Sequence, residues 1–318
     1  MFSEIIGVGS YLPERIVTNF DLEKEVETSD EWIVERTGIK QRHFAADNEL
    51  TSTLAYNAAM EAIKDAGVNV DEIDMVVLAT TTPDNVFPST ATKVQGMLGI
   101  HQGFAFDVQA VCSGFLYGLS CADNAIRNGQ AKVALVIGAE TFTRLLDNTD
   151  RNTYVLFGDG AGAVVLRATE NEDSHIVQTV LKSDGRFYDA LYVDGGVSTT
   201  RSSGFVKMNG KEVFKHAVTN MSSAVNEILE NHKVTSDDIN WIVPHQANMR
   251  IISGVAKKLG LEDEKVIVTV DGHANTSAAS IPLALTSGVK SGKIKKNDYV
   301  ILTAMGGGFT WGASLIKW

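Results

Sequence analysis

The chain has 318 residues, 44% hydrophobic and 21% charged, which suits a soluble globular protein of one large domain or two fused halves. Its formal net charge of −11 argues against a general nucleic-acid binder, which needs a basic surface facing phosphates, although a local basic patch stays open. No apolar run approaches the ~20 residues of a membrane span. The N-terminus has neither the basic segment nor the long apolar core of an export signal, and there are only two cysteines, so a reducing cytoplasm is expected. No cluster of histidine and cysteine has metal-ligand spacing.

In chain order, short β-branched runs alternate with amphipathic stretches of 10 to 18 residues, which predicts parallel or mixed sheets covered by helices. A helical stretch, Ser52 to Ala66, leads into Asp71-Glu-Ile-Asp-Met-Val-Val-Leu-Ala-Thr. Cys112 follows an apolar segment and opens a helix whose Phe115, Leu119, Ala122 and Ile126 leave it apolar on most sides, hence buried. Val133-Ala-Leu-Val-Ile-Gly reads as a core strand. Phe157-Gly-Asp-Gly-Ala-Gly-Ala leads into a β-branched run rather than a helix, so it reads as a bend into a strand and not as a dinucleotide fingerprint. A second helical stretch, Val213 to Asn231, leads into Ser236-Asp-Asp-Ile-Asn-Trp-Ile-Val-Pro-His, and Tyr299-Val-Ile-Leu-Thr-Ala matches the earlier core strand. Ile73 and Ile239, and likewise Val133 and Tyr299, stand 166 positions apart. Two separated matches at one offset predict two copies of one α/β unit, 1–170 and 171–318, with the boundary in the polar run from Thr169 to Ser174. Under this repeat Cys112 falls near Asn275, and two such strand-to-helix junctions would bring two helix starts to one site.

Four segments carry candidate chemistry. Cys112, in Asp107-Val-Gln-Ala-Val-Cys-Ser-Gly, is either a small buried hydrophobe or a nucleophile whose thiolate is favoured by the helix start. His245, in Val-Pro-His-Gln-Ala-Asn, and Asn275, in Gly-His-Ala-Asn-Thr-Ser, read in isolation as a structural imidazole and a helix cap, or as partners of that thiol. Gly306-Gly-Gly-Phe-Thr-Trp-Gly follows a strand and is either a tight turn or a backbone donor site for an oxyanion.

Taken with Ser29-Asp-Glu-Trp-Ile-Val-Glu-Arg-Thr-Gly-Ile and Asn275-Thr-Ser-Ala-Ala-Ser, these motifs run along essentially the whole chain, which resembles β-ketoacyl-acyl carrier protein synthase III, the initiating condensing enzyme of type II fatty-acid synthesis. The resemblance implies the thiolase-like five-layered αβαβα fold from two duplicated halves. It implies a primer, usually acetyl, passing from coenzyme A to Cys112, followed by decarboxylative condensation with malonyl-acyl carrier protein and no cofactor. Cys112 is then the nucleophile, Cys112 and Gly306 the oxyanion hole, and His245 and Asn275 donors to the malonyl thioester carbonyl. Trp32 and Arg151 would sandwich the adenine, with Thr28, Arg36 and Asn248 on the rest of coenzyme A. Phe87 would reach across a homodimer into the partner's acyl pocket, and Met305, standing where many members have phenylalanine, would bear on acyl specificity. Acyl carrier proteins are acidic, so Arg250, Lys257 and Lys215, extended by Lys207 and Lys211, form a candidate docking face; an ordinary solvated face is the alternative. A thiolase would need a second cysteine near the C-terminus, and none follows Cys121. A related initiating acyltransferase or ketide synthase with another primer remains open.

Overall fold

The computed structural model describes residues 1–318. The N-terminal half runs β1 (Phe2–Tyr11), β2 (Arg15–Thr18), α1 (Asn19–Leu22), α2 (Asp30–Thr37), β3 (Gln41–Phe44), α3 (Thr51–Ala66), β4 (Met75–Ala79), α4 (Thr90–Leu98), β5 (Phe104–Val108), α5 (Gly114–Arg127), β6 (Val133–Glu140), α6 (Arg151–Tyr154) and β7 (Gly160–Thr169). The C-terminal half runs β8 (His175–Ser183), β9 (Leu191–Val193), β10 (Val206–Met208), α7 (Gly210–His232), β11 (Trp241–Pro244), α8 (Met249–Leu259), α9 (Val270–His273), α10 (Ser280–Lys290), β12 (Tyr299–Gly306) and β13 (Thr310–Lys317).

Two mixed sheets result, ordered β1-β7-β6-β4-β5 and β8-β13-β12-β11. In each, the two parallel partners lie at one end and the antiparallel pairs at the other. The second sheet lacks a counterpart of β5; a single parallel bridge from Val266 to Ile242 stands in its place. Helices α5 and α10 fill the space between the sheets, while α3 and α4 cover the outer face of the first and α7 and α8 that of the second. This is the five-layered thiolase arrangement. The middle layer explains the unbroken apolar character of its sequences: α10 is buried from Ser280 to Thr286, and each fully buried Leu or Ile contributes roughly 1.5–3 kcal/mol. The outer helices keep one polar face, as in α8, where Ile251, Ile252, Val255 and Leu259 are buried and Arg250 and Lys257 are exposed.

The glycines of Phe157-Gly-Asp-Gly-Ala-Gly-Ala serve this packing. A Cβ on Gly162 would lie 2.7 Å from the Leu283 amide nitrogen, so the motif lets α10 press on β7. At the 166-residue offset β4 matches β11, β6 matches β12, and the starts of α5 and α10 coincide. The polar run around residue 170 is the connection from β7 to β8.

Candidate active site

Cys112 is the middle residue of a turn, Val111–Ser113, that carries the chain from β5 into α5. Val111 adopts a φ of 48°, a costly conformation for a β-branched residue, and the resulting elbow aims the next side chain out of the turn. The same elbow recurs 166 positions on, at Ser277–Ala279, where Ser277 has a φ of 50°. The residue matching Cys112 is therefore Ala278. Asn275 lies on the approach to the second elbow rather than at its apex, a correction to the approximate alignment of the two halves.

Asn275 is fixed from several sides. Its N–H donates to the Leu156 carbonyl at 2.9 Å and its own carbonyl accepts the Gly158 N–H at 3.0 Å. The Ser277 N–H donates to Asn275 Oδ1 at 2.9 Å, which commits the oxygen and leaves the amide NH2 as the group offered to the cavity. His245 follows β11, its N–H held by the Thr303 carbonyl at 2.8 Å. Gln246 locks this loop down: its Oε1 accepts the Thr269 and Val270 N–H groups at 2.8 and 3.1 Å, and its Nε2 donates to the Pro244 and Ile267 carbonyls. Burial lowers the His245 imidazole to about 3, so it is neutral at physiological pH and presents one N–H, with Nδ1 unpartnered within the protein.

Gly306 ends β12 against the backbone of Cys112. A Cβ there would sit 2.7 Å from the Cys112 nitrogen and 3.0 Å from the Ala110 carbonyl, so only glycine permits this approach. The thiol itself departs from expectation. Burial pushes Cys112 up to about 12; a hydrogen bond with Ser277 opposes this and the charge of Glu140 adds to it. The helix start favours the thiolate by up to ~2 kcal/mol, about 1.5 decades, which does not overcome burial. The resting side chain is a neutral thiol.

Cys112, His245 and Asn275 are 4%, 3% and 6% exposed and meet at the buried end of one cavity of about 790 Å³. Trp32, Arg36, Asn248 and Arg250 line the same cavity toward solvent. A second cavity of about 270 Å³, lined by Gln109, Tyr188, Val193 and Thr310 among others, shares Val111, Phe142 and Leu191 with the first and so lies beyond the elbow.

The profile described as 3-Oxoacyl-[acyl-carrier-protein (ACP)] synthase III matches residues 106–185, and its C-terminal companion matches residues 229–318. The chain is 62% identical over 319 residues to the β-ketoacyl-[acyl-carrier-protein] synthase III of Rhodospirillum centenum, covering 99% of each. It is 60% identical to that of Paramagnetospirillum magneticum, covering 99% of this chain and 98% of the relative. The crystal structure of 3-oxoacyl-[acyl-carrier-protein] synthase III from Aquifex aeolicus superposes with a TM-score of 0.95 at 47% identity, over 99% of this chain and 100% of that one. The chain belongs to the β-ketoacyl-[acyl-carrier-protein] synthase III family. As a synthase III it is an acyltransferase, the initiating condensing enzyme of fatty-acid biosynthesis.

The remaining expected residues of this synthase III are placed as follows. Trp32 lies under two guanidinium groups, Arg36 at 4.8 Å and Arg151 at 5.0 Å from the ring centroid. An adenine between Trp32 and Arg151 needs ~7 Å, two van der Waals contacts, so the expected sandwich is closed here by the arginine itself. Arg151 also donates to the Glu27 carbonyl at 3.0 Å. Thr28, the neighbour of Glu27, has a buried hydroxyl with no partner and does not line the large cavity. Asn248 lines the cavity but spends its Oδ1 on capping α8, through the Ile251 N–H at 3.0 Å. Met305 borders the large cavity beside Cys112 and is absent from the wall of the smaller one. Phe87 points outward, 82% exposed, and lines neither.

Arg250, Lys257, Lys211 and Lys215 are exposed on α8 and α7, with Arg250 5.5 Å over the Phe214 ring at the cavity's open end. Lys207 is drawn off by Asp194 at 3.5 Å and does not extend the patch. No group of three or more His, Cys, Asp or Glu side chains is arranged to hold a metal ion. No helix is long and apolar enough to cross a membrane. Sequence reasoning passed over Glu140 and Ser277, both fully buried and joined by a hydrogen bond of 3.1 Å. The only signal for Glu140 was an acid ending an otherwise apolar strand.

Proposed function

We propose that this synthase loads an acyl primer from coenzyme A, acetyl being the expected one, onto Cys112 and condenses it with malonyl-acyl carrier protein, giving 3-oxoacyl-acyl carrier protein, coenzyme A and CO2. The observation that carries the reading is the convergence of a thiol on a strained elbow, a neutral histidine and an oriented asparagine amide at the buried end of one cavity.

Attack by Cys112 sulfur on the thioester puts charge on the carbonyl oxygen, which the N–H groups of Cys112 and Gly306 receive. In the second half-reaction the malonyl thioester oxygen lies between His245 and Asn275. As the C–C bond to the carboxylate breaks, electron density moves onto that oxygen. Neutral donors are the right kind here. Their bonds strengthen as the enolate forms, and they bring no permanent charge that would hold the product. The enolate carbon then attacks the Cys112 thioester. Each of these steps uses only protein donors and the substrates' own carboxylate, so no metal or organic cofactor is assigned.

Trp32, Arg36, Arg151, Thr28 and Asn248 are proposed to hold coenzyme A, after Arg151 lifts from the indole. The smaller cavity beyond the elbow is proposed to take the acyl group. A homodimer is supported by two features. β5 is an open sheet edge whose Phe104 is 41% exposed, and the Phe87 ring stands free near by in sequence. Arg250, Lys257 and Lys215 suit an acidic carrier protein, and the cytoplasm is the compartment proposed. Mass spectrometry after incubation with a series of acyl-CoA primers in competition tests the reading: a single acyl adduct on Cys112 is expected, and label elsewhere overturns it.

A further inference from the structure

Glu140 ends β6 fully buried, with no basic partner for its charge. Its Oε1 accepts the Thr81 N–H and the Ser277 hydroxyl, both at 3.1 Å. Its Oε2 accepts the Thr81 and Thr82 N–H groups at 3.0 and 3.1 Å, Thr82 Oγ1 at 2.6 Å and Thr80 Oγ1 at 3.3 Å. All of these donors but Ser277 belong to the N-terminal half, where the threonine segment is itself tied down. The Thr80 N–H donates to the Val108 carbonyl of β5 at 3.1 Å, and Thr51 Oγ1 of α3 donates to the Thr82 carbonyl at 2.6 Å. The Thr141 N–H donates to Thr82 Oγ1 at 2.9 Å. The bond to Ser277 therefore runs from a fixed carboxylate into the other half.

We propose that Glu140 is a positioning residue for the condensation half-reaction: through Ser277 it keeps the Asn275 amide facing the cavity. The proposal rests on Asn275 being a donor to the malonyl thioester. The backbone bonds of Asn275 to Leu156 and Gly158 fix where the residue sits but leave its side chain free to turn. The Ser277 N–H, 2.9 Å from Asn275 Oδ1, is the bond that decides which end of the amide meets the substrate. The Ser277 φ of 50° sets how its side chain stands relative to its own N–H, so that one residue reaches Glu140 with its hydroxyl and Asn275 with its amide. A residue other than glycine keeps this left-handed conformation only where its surroundings impose it. The bond to Glu140 is the restraint on its side chain.

The duplicated fold supplies its own control. At the 166-residue offset Ser277 matches Val111, Glu140 matches Gly306 and Asn275 matches Gln109. The first and second of these positions face each other in both halves: a Cβ on Gly306 would lie 3.1 Å from the Val111 Cβ, and Glu140 meets Ser277. Both elbows use the left-handed φ, 48° at Val111 and 50° at Ser277. The polar pair occurs only in the half whose elbow is preceded by the asparagine. A carboxylate suits the task, because it can only accept, so the Ser277 O–H has one direction, whereas a hydroxyl or amide in its place could turn round. Burial works against the charge, and the Thr81, Thr82 and Ser277 donors oppose that effect.

The test measures the two half-reactions of the full-length enzyme separately: acyl-enzyme formation from acetyl-CoA by mass spectrometry, and CO2 release from malonyl-acyl carrier protein. Ser277→Ala leaves the threonine donors of Glu140 in place. It should lower kcat for CO2 release ~10²-fold, the cost of misplacing a group by about 1 Å, while KM and acyl-enzyme formation change far less. Ser277→Gly adopts the left-handed φ without help and should recover most of that loss. Glu140→Gln sets its NH2 against a backbone N–H in either flip and should show the same split between half-reactions. Added to Ser277→Ala, it should slow CO2 release no further, because the two act along one path. A wild-type rate of CO2 release in Ser277→Ala, equal losses in both half-reactions, additive losses, or a Ser277→Gly enzyme no faster than Ser277→Ala overturns the positioning role. Asn275→Ala separates the two claims: if it releases CO2 at the wild-type rate, the donor reading itself falls, and the proposal with it.

Discussion

In the N-terminal half the elbow after β5 carries Cys112, and the end of β12 facing it is Gly306. In the C-terminal half the matching elbow carries Ala278, and the residue in the place of Gly306 is Glu140, at the end of β6. The Cys112 amide faces an open backbone approach, whereas the second elbow is closed by the buried Glu140, which accepts the Ser277 hydroxyl at 3.1 Å. One architecture is thus used twice, once left open beside a thiol and once filled by a side chain of the protein. In the proposed mechanism the asymmetry also divides labour: the nucleophile comes from one half, the histidine and asparagine from the other.

The hardest break of this comparison is to remove the one side chain that the second elbow lacks. Cys112→Ser should cost roughly 10³-fold or more in acyl-enzyme formation. Mass spectrometry with acetyl-CoA should find the adduct on wild type alone. Next, His245→Ala and Asn275→Ala should slow malonyl decarboxylation by ~10²–10³ while acyl transfer to Cys112 suffers less, because both donors come from the half that meets the second substrate. Single-turnover assays of each half-reaction check this, and equal damage to both would contradict the division.

Acid should expose the C-terminal half in another way. His245 is buried there and His273 partly buried, and burial lowers them to about 3 and about 4 from 6.5. The unfolded chain takes up these two protons first, so their contribution to stability is intact above pH ~6.5 and is lost as pH falls from there toward the folded values. With two protons involved the slope approaches ~2.7 kcal/mol per pH unit near pH 5. Urea unfolding from pH 7 to 5 should show it, and His273→Asn should remove about half.

The smallest effect concerns the outer helices. α4 carries one lysine, Lys93, already bound to Asp84, while α8 presents Arg250, Lys257 and Lys258 outside any ion pair with a carboxylate. Arg250→Glu should raise KM for malonyl-acyl carrier protein several-fold at low salt, converge on wild type at high salt, and leave acetyl transfer from coenzyme A unchanged. Wild-type carrier kinetics at low salt would mean that α8 is only solvated.

The repeat, the order of strands and the trio were legible because each is written locally. Alternating apolar runs mark β4, β6, β11 and β12, and Cys112, His245 and Asn275 each sit in a distinctive segment ending a strand or opening a helix. What the sequence hid was long-range or electrostatic. Glu140 meets Ser277 across 137 positions, and no local pattern announces such a pair. The neutrality of the thiol follows from how deeply α5 is sandwiched, which opposes the dipole that the helix start advertises. Met305 reads as a neighbour of the glycines, yet β12 turns it toward the wider cavity. Lys207 reads as part of a basic patch until β9 and β10 bring Asp194 beside it.

The arginine resting on Trp32 bears on the tempo of turnover. A nucleotide that docks against this indole does not gain a whole stacking interaction; it gains the difference between its own and that of Arg151, which is displaced. In the proposed reaction such an exchange weakens retention where spent coenzyme A must withdraw before the carrier-bound thioester enters. On that proposal a side chain that competes for the platform acts as a built-in ejector, ready to reclaim the ring each time the adenine lifts.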